Sequence, residues 1–173
     1  MRKAVFLGLA IAMAVPVFAK PTVSVGFSPS ASQSALQLVL NTINSARRSI
    51  DVAAYSFTSK PVAAALVAAR KRGVAVRVVA DEKGNAGKYT AVTFLANQGV
   101  PVRVNGRYAI MHNKFMVVDG DAVQTGSFNY TASAATRNAE NVLVVQDSPE
   151  LTNAYQSEFT RLWRESTKFE TKY

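Results

Sequence analysis

His112 is the only histidine in the 173 residues, and Lys114 follows it two positions later. In an extended chain side chains alternate, so His112, Lys114, Met116 and Val118 of MHNKFMVVDG share one side while Asn113, Phe115 and Val117 take the other. A base and a fixed cation then project together. After a turn at Asp119-Gly120-Asp121, the stretch Gly126-Ser127-Phe128-Asn129 puts a hydroxyl and a carboxamide, Ser127 and Asn129, on a common side, with Gly126 permitting close backbone approach. Such groups suit a phosphodiester. Lys114, Ser127 and Asn129, with Gly126 beside them, form a phosphate-binding set that stabilises charge on the non-bridging oxygens, and the His112 imidazole can attack phosphorus. The product of that attack is a covalent phosphohistidine, which water then hydrolyses. A lone histidine in an apolar strand is more often an ordinary core or interface residue. The lysine on its own side and the Gly-Ser-x-Asn downstream argue against that reading.

The full spacing, His112-x-Lys114-x4-Asp119-x6-Gly126-Ser127-x-Asn129, resembles the HKD signature of the phospholipase D superfamily. Arg137-Asn138-Ala139-Glu140-Asn141, followed by an apolar strand, is similar to the segment after that motif in the same family. With one motif and an export-like start, the chain is most similar to the small secreted endonucleases of the superfamily. The resemblance implies a phospholipase D-like fold and a two-step hydrolysis that needs neither metal nor cofactor. One histidine is then the nucleophile, and another serves as acid to the leaving oxygen and as base to water. Since this sequence holds one, either water protonates the leaving group or a second copy donates its His112 across a twofold axis. A homodimer with a shared active site is the expectation.

The catalytic set implied by the resemblance is His112, Lys114, Asp119 and Glu140. Asp119 has the opposite parity from His112 and begins a turn, so its geometry favours a bond to turn backbone or to a neighbouring cation. Glu140 is expected to hold an imidazole N–H and fix its tautomer. No metal site is expected, because one histidine and no cysteine leave scattered carboxylates that lack the spacing of a calcium loop.

These residues need elements to carry them. Residues 1–19, MRKAVFLGLAIAMAVPVFA, combine a basic start, an apolar run and a small-residue cleavage pattern, and read as a signal peptide that leaves no membrane anchor once removed. The expected product is periplasmic or secreted. Residues 20–173 then form one catalytic domain, with 18 Lys and Arg against 11 Asp and Glu, a net of +7.

Within that domain, Thr22–Phe27 alternates like a strand. A helix capped near Ser28-Pro29 carries Ala35, Leu36, Val39, Leu40, Ile43 and Ala46 at helical spacing. Strands follow at Ser49–Ser56 and Val74–Ala80, separated by a helix that opens at Ser59-Lys60-Pro61 and stops at Gly73. A third helix at Tyr89–Asn97 precedes a strand at Val100–Val104. From there strands come in close succession, at Met111–Val118, Ala122–Gly126 and Asn141–Gln146. A final helix starts at Ser148-Pro149-Glu150, with Phe159 and Trp163 on its core side. This order predicts an α/β domain, a mixed β-sheet flanked by helices on both faces.

A basic surface favours polyanions, and Arg47-Arg48, Arg70-Lys71-Arg72, Lys83, Lys88, Arg103 and Arg107 are candidates to flank a nucleic-acid groove. Tyr108 and Tyr130 are candidates to stack on bases or to line the cleft. The leading expectation is a sequence-nonspecific endonuclease on DNA, and also RNA. The same chemistry on lipid phosphodiesters, a phospholipase, is the first alternative, with little apolar surface at Tyr108–Met111 to support it. A noncatalytic nucleic-acid-binding protein is the second; it would be expected to lack part of the His, Lys and Asn set, which this sequence retains.

Overall fold

The computed structural model describes residues 20–32, 34–87 and 90–170. The expected signal peptide at 1–19, Lys88 and Tyr89 lie outside the described residues. Eight strands, β1 (Thr22–Ser28), β2 (Ser49–Ala54), β3 (Ala75–Asp81), β4 (Val102–Asn105), β5 (Lys114–Val118), β6 (Ala122–Gly126), β7 (Glu140–Gln146) and β8 (Thr167–Lys168), form one sheet in the order β1-β7-β6-β5-β2-β3-β4-β8. The pairs β2–β3 and β3–β4 are parallel, as strand–helix–strand repeats require, and every other pairing is antiparallel. The sheet is therefore mixed, as expected.

Five helices pack on it: α1 (Ser34–Ser45), α2 (Lys60–Lys71), α3 (Ala91–Asn97), α4 (Ala132–Thr136) and α5 (Pro149–Glu165). Each start has a local cause. Ser30 Oγ accepts from Ser34 N at 2.9 Å ahead of α1, while Ser59, Thr90 and Thr131 cap α2, α3 and α4 by accepting from Val62, Thr93 and Ala134 amides. Pro149 opens α5 with Glu150 in the first turn, where a carboxylate complements the exposed amides.

One face of the sheet, through Val52, Val78, Met116, Val118 and Val142, buries against Ala35, Val39, Ile43, Leu66, Val92 and Leu95 of α1 to α3. The other face, through Ala53, Val79, Phe115 and Val117, buries against Phe159 and Leu162 of α5. Helices on both faces are thus observed. The helix α5 is further pinned by Asp51, a buried carboxylate bonded to Arg77 at 2.8 and 2.7 Å and to Gln156 Nε2 at 2.8 Å. The Arg77 guanidinium also lies over the Phe159 and Trp163 rings, at 5.1 and 5.3 Å. Phe159 is core, as its spacing predicted, whereas Trp163, expected beside it in the core, is only half-buried. α5 packs over β2 to β6. On that same face the outer strand β1 leaves Val23, Val25 and Phe27 at 60%, 52% and 58% exposure.

Several boundaries differ from the sequence reading. The expected strand Met111–Val118 begins three residues later, at Lys114, because Met111 N donates to Asp81 Oδ2 at 2.8 Å and bends the chain away from the ladder. Short α4 and β8 were not anticipated: five and two residues carry too little periodicity to be seen.

Candidate active site

The strand directions decide what meets what. The C-terminal ends of β2, β3, β4 and β6 and the N-terminal ends of β5 and β7 point to one edge of the sheet. Lys114 begins β5 opposite Ala54, the last residue of β2. Glu140 begins β7, and Gly126, opposite Val142, ends β6. His112 and Asn113 approach this edge as coil, with the His112 side exposed and Lys114 buried. Lys114 Nζ donates to the His112 carbonyl oxygen at 2.7 Å and lies 5.1 Å from the centre of the Tyr55 ring. The Tyr55 and His112 rings are 4.6 Å apart, tilted by 56°.

Burial pulls the Lys114 ammonium below the ordinary lysine value, and the Glu140 carboxylate opposes that by favouring the charged form. Glu140 accepts from Ser127 Oγ at 2.5 Å and from Asn138 Nδ2 at 3.0 Å. Ser127 Oγ in turn accepts from the Asn141 amide at 3.1 Å. Asn129 Oδ1 is buried with no protein partner among the described residues. Imidazole, ammonium, hydroxyl and carboxylate therefore share one sheet edge, with Asn129 two residues from Ser127.

Three expected roles change. Asp119 stands at the other end of β5, five residues from Lys114, which is about 17 Å at the rise of a strand. Its carboxylate accepts from the Arg47, Arg48 and Ser49 amides at 2.9, 2.7 and 2.9 Å, and its own carbonyl accepts from Arg48 Nη2. Asp119 stands apart from the other members of the expected catalytic set: parity and turn position point to backbone bonding, and the backbone it holds is the entry to β2. Gly126, expected beside substrate, has φ 147°, and a Cβ there would collide with the Asn141 carbonyl oxygen. The close approach it permits is that of β7. Glu140 does not bond His112 within one chain; it meets Ser127, Asn138 and the field of Lys114 instead.

The aromatic and basic candidates also sort by position. Tyr130 is fully buried, donating to Gln124 Oε1 at 2.7 Å and packing on Phe57, so it is core and cannot stack on a base. Tyr108 is half-buried and donates to Glu165 Oε2 at 2.5 Å, which ties the loop after β4 to α5. Arg47, Arg48, Arg70, Lys71 and Arg72 belong to the opposite edge, where Arg72 donates to the carbonyls of Ile43 and Asn44 at 3.3 Å. Arg103 donates to the Trp163 carbonyl oxygen at 2.7 Å and stacks on that ring. Lys83 and Arg107 follow β3 and β4 at the site edge, joined there by Lys60 after β2 and Arg137 before β7. Among the described residues no three His, Asp or Glu side chains gather so as to hold a metal ion.

Sequence spacing missed Tyr55, Asp81 and Asn85. All three stand at or just beyond the C-terminal ends of parallel strands, where sites in open α/β sheets form, and that rule was the available signal.

This arrangement matches known proteins. The family model described as "Cardiolipin synthase, PLD-like domain" covers residues 39–163. The chain belongs to the phospholipase D-like family. Members of that superfamily are phosphodiester hydrolases. A phospholipase D family member, Nuc from Salmonella typhimurium, superimposes with a TM-score of 0.84 at 42% identity, covering 87% of this chain and 99% of that one. Mitochondrial cardiolipin hydrolase of Xenopus laevis is 39% identical over 134 residues, 78% of this chain and 63% of that protein. Phospholipase D of Rickettsia bellii is 37% identical over 119 residues, 69% of this chain and 59% of that protein. The chain thus spans about 60% of the length of these two relatives. Among the described residues no helix is long and apolar enough to cross a membrane.

Proposed function

We propose that this protein hydrolyses nucleic-acid phosphodiester bonds without a metal, as a sequence-nonspecific endonuclease on DNA and also on RNA. The observation that carries the reading is the single sheet edge on which exposed His112, Lys114, Ser127, Asn129 and Glu140 gather. A His112 ring nitrogen bonds to phosphorus as the P–O bond to the leaving oxygen breaks, and that oxygen takes a proton. Water then attacks phosphorus, the P–N bond breaks, and His112 is restored. Lys114 and Asn129 offer donors to the non-bridging oxygens. Lys60, Lys83, Arg107 and Arg137 around the same edge favour a polyanion.

The leaving oxygen needs an acid, and this sequence holds no second histidine. In this reading a second copy supplies its own His112, giving a homodimer with one shared site. The exposed Val23, Val25 and Phe27 support it, because this apolar strip is the uncovered part of the α5 face and ends beside Asn141, next to Glu140. Residues 1–19 fit an export signal, which would place the enzyme in the periplasm or outside the cell.

Plasmid nicking in EDTA tests the reading. Cleavage by the wild type that falls to background in a folded His112→Asn variant is the expected result; equal nicking by both refutes His112 as the nucleophile. A second reading, hydrolysis of lipid phosphodiesters, is favoured by the names of two relatives, mitochondrial cardiolipin hydrolase and phospholipase D. Release of lipid head groups without nicking would establish it in place of the first.

A further inference from the structure

His112 projects from coil, and among the described residues no carboxylate bonds its side chain to orient it, yet attack on phosphorus requires a fixed ring. Two contacts supply what is missing. Asp81, buried at the end of β3, accepts from Met111 N through Oδ2 at 2.8 Å and from Gly84 N through Oδ1 at 2.6 Å. The residue immediately before His112 is therefore tied to the sheet. Asn85, buried in the 3₁₀ turn Lys83–Asn85, donates through Nδ2 to the carbonyl oxygens of Asp81 at 2.8 Å and Tyr55 at 2.7 Å. Its Oδ1 accepts from Phe57 N at 3.1 Å. One short turn thus fixes the backbone on both sides of the Tyr55–His112 contact.

We infer that Tyr55 is the positioning residue for His112: its ring, carried on backbone that Asn85 holds through the Tyr55 carbonyl oxygen, packs against the imidazole at 4.6 Å and against the Lys114 ammonium at 5.1 Å. The contact sets the direction of the imidazole relative to Lys114, whose Nζ is already bonded to the His112 carbonyl oxygen. The aromatic face does here what a hydrogen-bonded carboxylate does for histidines in catalytic triads, and it accommodates the neighbouring cation at the same time. Three side chains, from the residue after β2, from β5 and from the coil before β5, become one unit. The inference rests on His112 being the nucleophile, and its geometric half stands apart from that reading.

Tyr55→Leu removes the ring and Tyr55→Phe keeps it. With bis(4-nitrophenyl) phosphate in EDTA, Tyr55→Leu should lower kcat about 10- to 100-fold, the loss expected when a group orienting a reactive imidazole is removed, with KM within about twofold. Tyr55→Phe should retain most of the activity. Because the sequence contains one histidine, its imidazole resonances are a single resolved set. They should lose the ring-current shift of the tyrosine in the leucine variant and keep it in the phenylalanine variant, at unchanged melting temperature. Unchanged imidazole shifts in Tyr55→Leu, or a loss carried by KM alone, would overturn the inference, as would equal damage from Phe and Leu. If the wild type fails to turn over the diester, the reading of His112 as nucleophile falls, while the resonances still decide whether Tyr55 holds the ring.

Discussion

Replacing Asp119 by Asn separates a residue that holds the sheet from one that handles substrate. The position has φ 56°, a left-handed conformation that Asp and Asn both tolerate, so the exchange adds no backbone strain. Asp119 Oδ2 accepts from Arg47 N, and Oδ1 accepts from Arg48 N and Ser49 N. An amide keeps one oxygen and turns an NH2 toward the remaining donor. One bond to a charged acceptor is lost, worth about 1.5–3 kcal/mol, and two drop to the neutral scale of about 1 kcal/mol each. Because the site is only half-buried, solvent screening brings the sum to about 2 kcal/mol. At roughly 2–4 °C per kcal/mol for a domain of this size, melting should fall by about 4–8 °C.

Well below the transition, turnover per folded molecule should stay within about threefold of wild type, since the carboxylate stands a strand's length from Lys114. Burial alone would raise the Asp119 pKa, but its three amide bonds and the Arg48 charge outweigh that and hold it below the ordinary carboxylate value. The stability it adds is therefore present above about pH 4, the ordinary aspartate value, and is lost as the pH falls through the lower folded value. Asp119→Asn should flatten that acid limb. Melting by circular dichroism across pH, with diester turnover at 20 °C, checks both halves. An unchanged melting curve with activity lost a hundredfold would refute the reasoning and return Asp119 to the catalytic set.

Glu140→Gln removes the charge that favours the Lys114 ammonium, leaving burial unopposed, so the Lys114 pKa should fall further. The alkaline limb of kcat/KM should move to lower pH; a limb that stays in place would show that Lys114 ionisation does not set it. Val25→Asp with Phe27→Asp places charge on the exposed strip of β1 and should convert a dimer to a folded monomer in sedimentation. Activity should drop about a hundredfold or more through loss of the second acid, and a fully active monomer would sink the shared site.

Much of this site was legible because its strongest signals are local. His112, Lys114, Ser127, Asn129 and Glu140 fall within 29 residues of sequence; strand alternation was enough to expect the first four to converge, and the family resemblance added Glu140. The parity argument even separated Asp119 from its neighbours. What failed to show was long-range. Nothing in the run DVAAYSF ties Tyr55 to a histidine 57 positions later, and the Asp51–Arg77 pair under α5 depends on two parallel strands lying side by side. The basic residues could be counted but not placed, because their position at one edge or the other follows from strand direction. Tyr130 was misread for the same reason: its partner Phe57 is far away in sequence, and only their packing shows that the ring is core.

The sheet that unites these residues also closes late. β1, near the start of the described chain, pairs with β7, more than a hundred residues on, and β7 brings Glu140 beside Ser127. Pairings across such sequence distances form slowly, since the chain must lose its freedom before the contact returns any stability. The strands that carry the site, β5, β6 and β7, are neighbours in sequence and can pair first, whereas β1 joins them only across that long separation. The strip Val23, Val25 and Phe27 is thus the last part of the sheet to be set, and under the proposed shared site recovery of activity on refolding would lag the pairing of β5 to β7 and report the joining of β1.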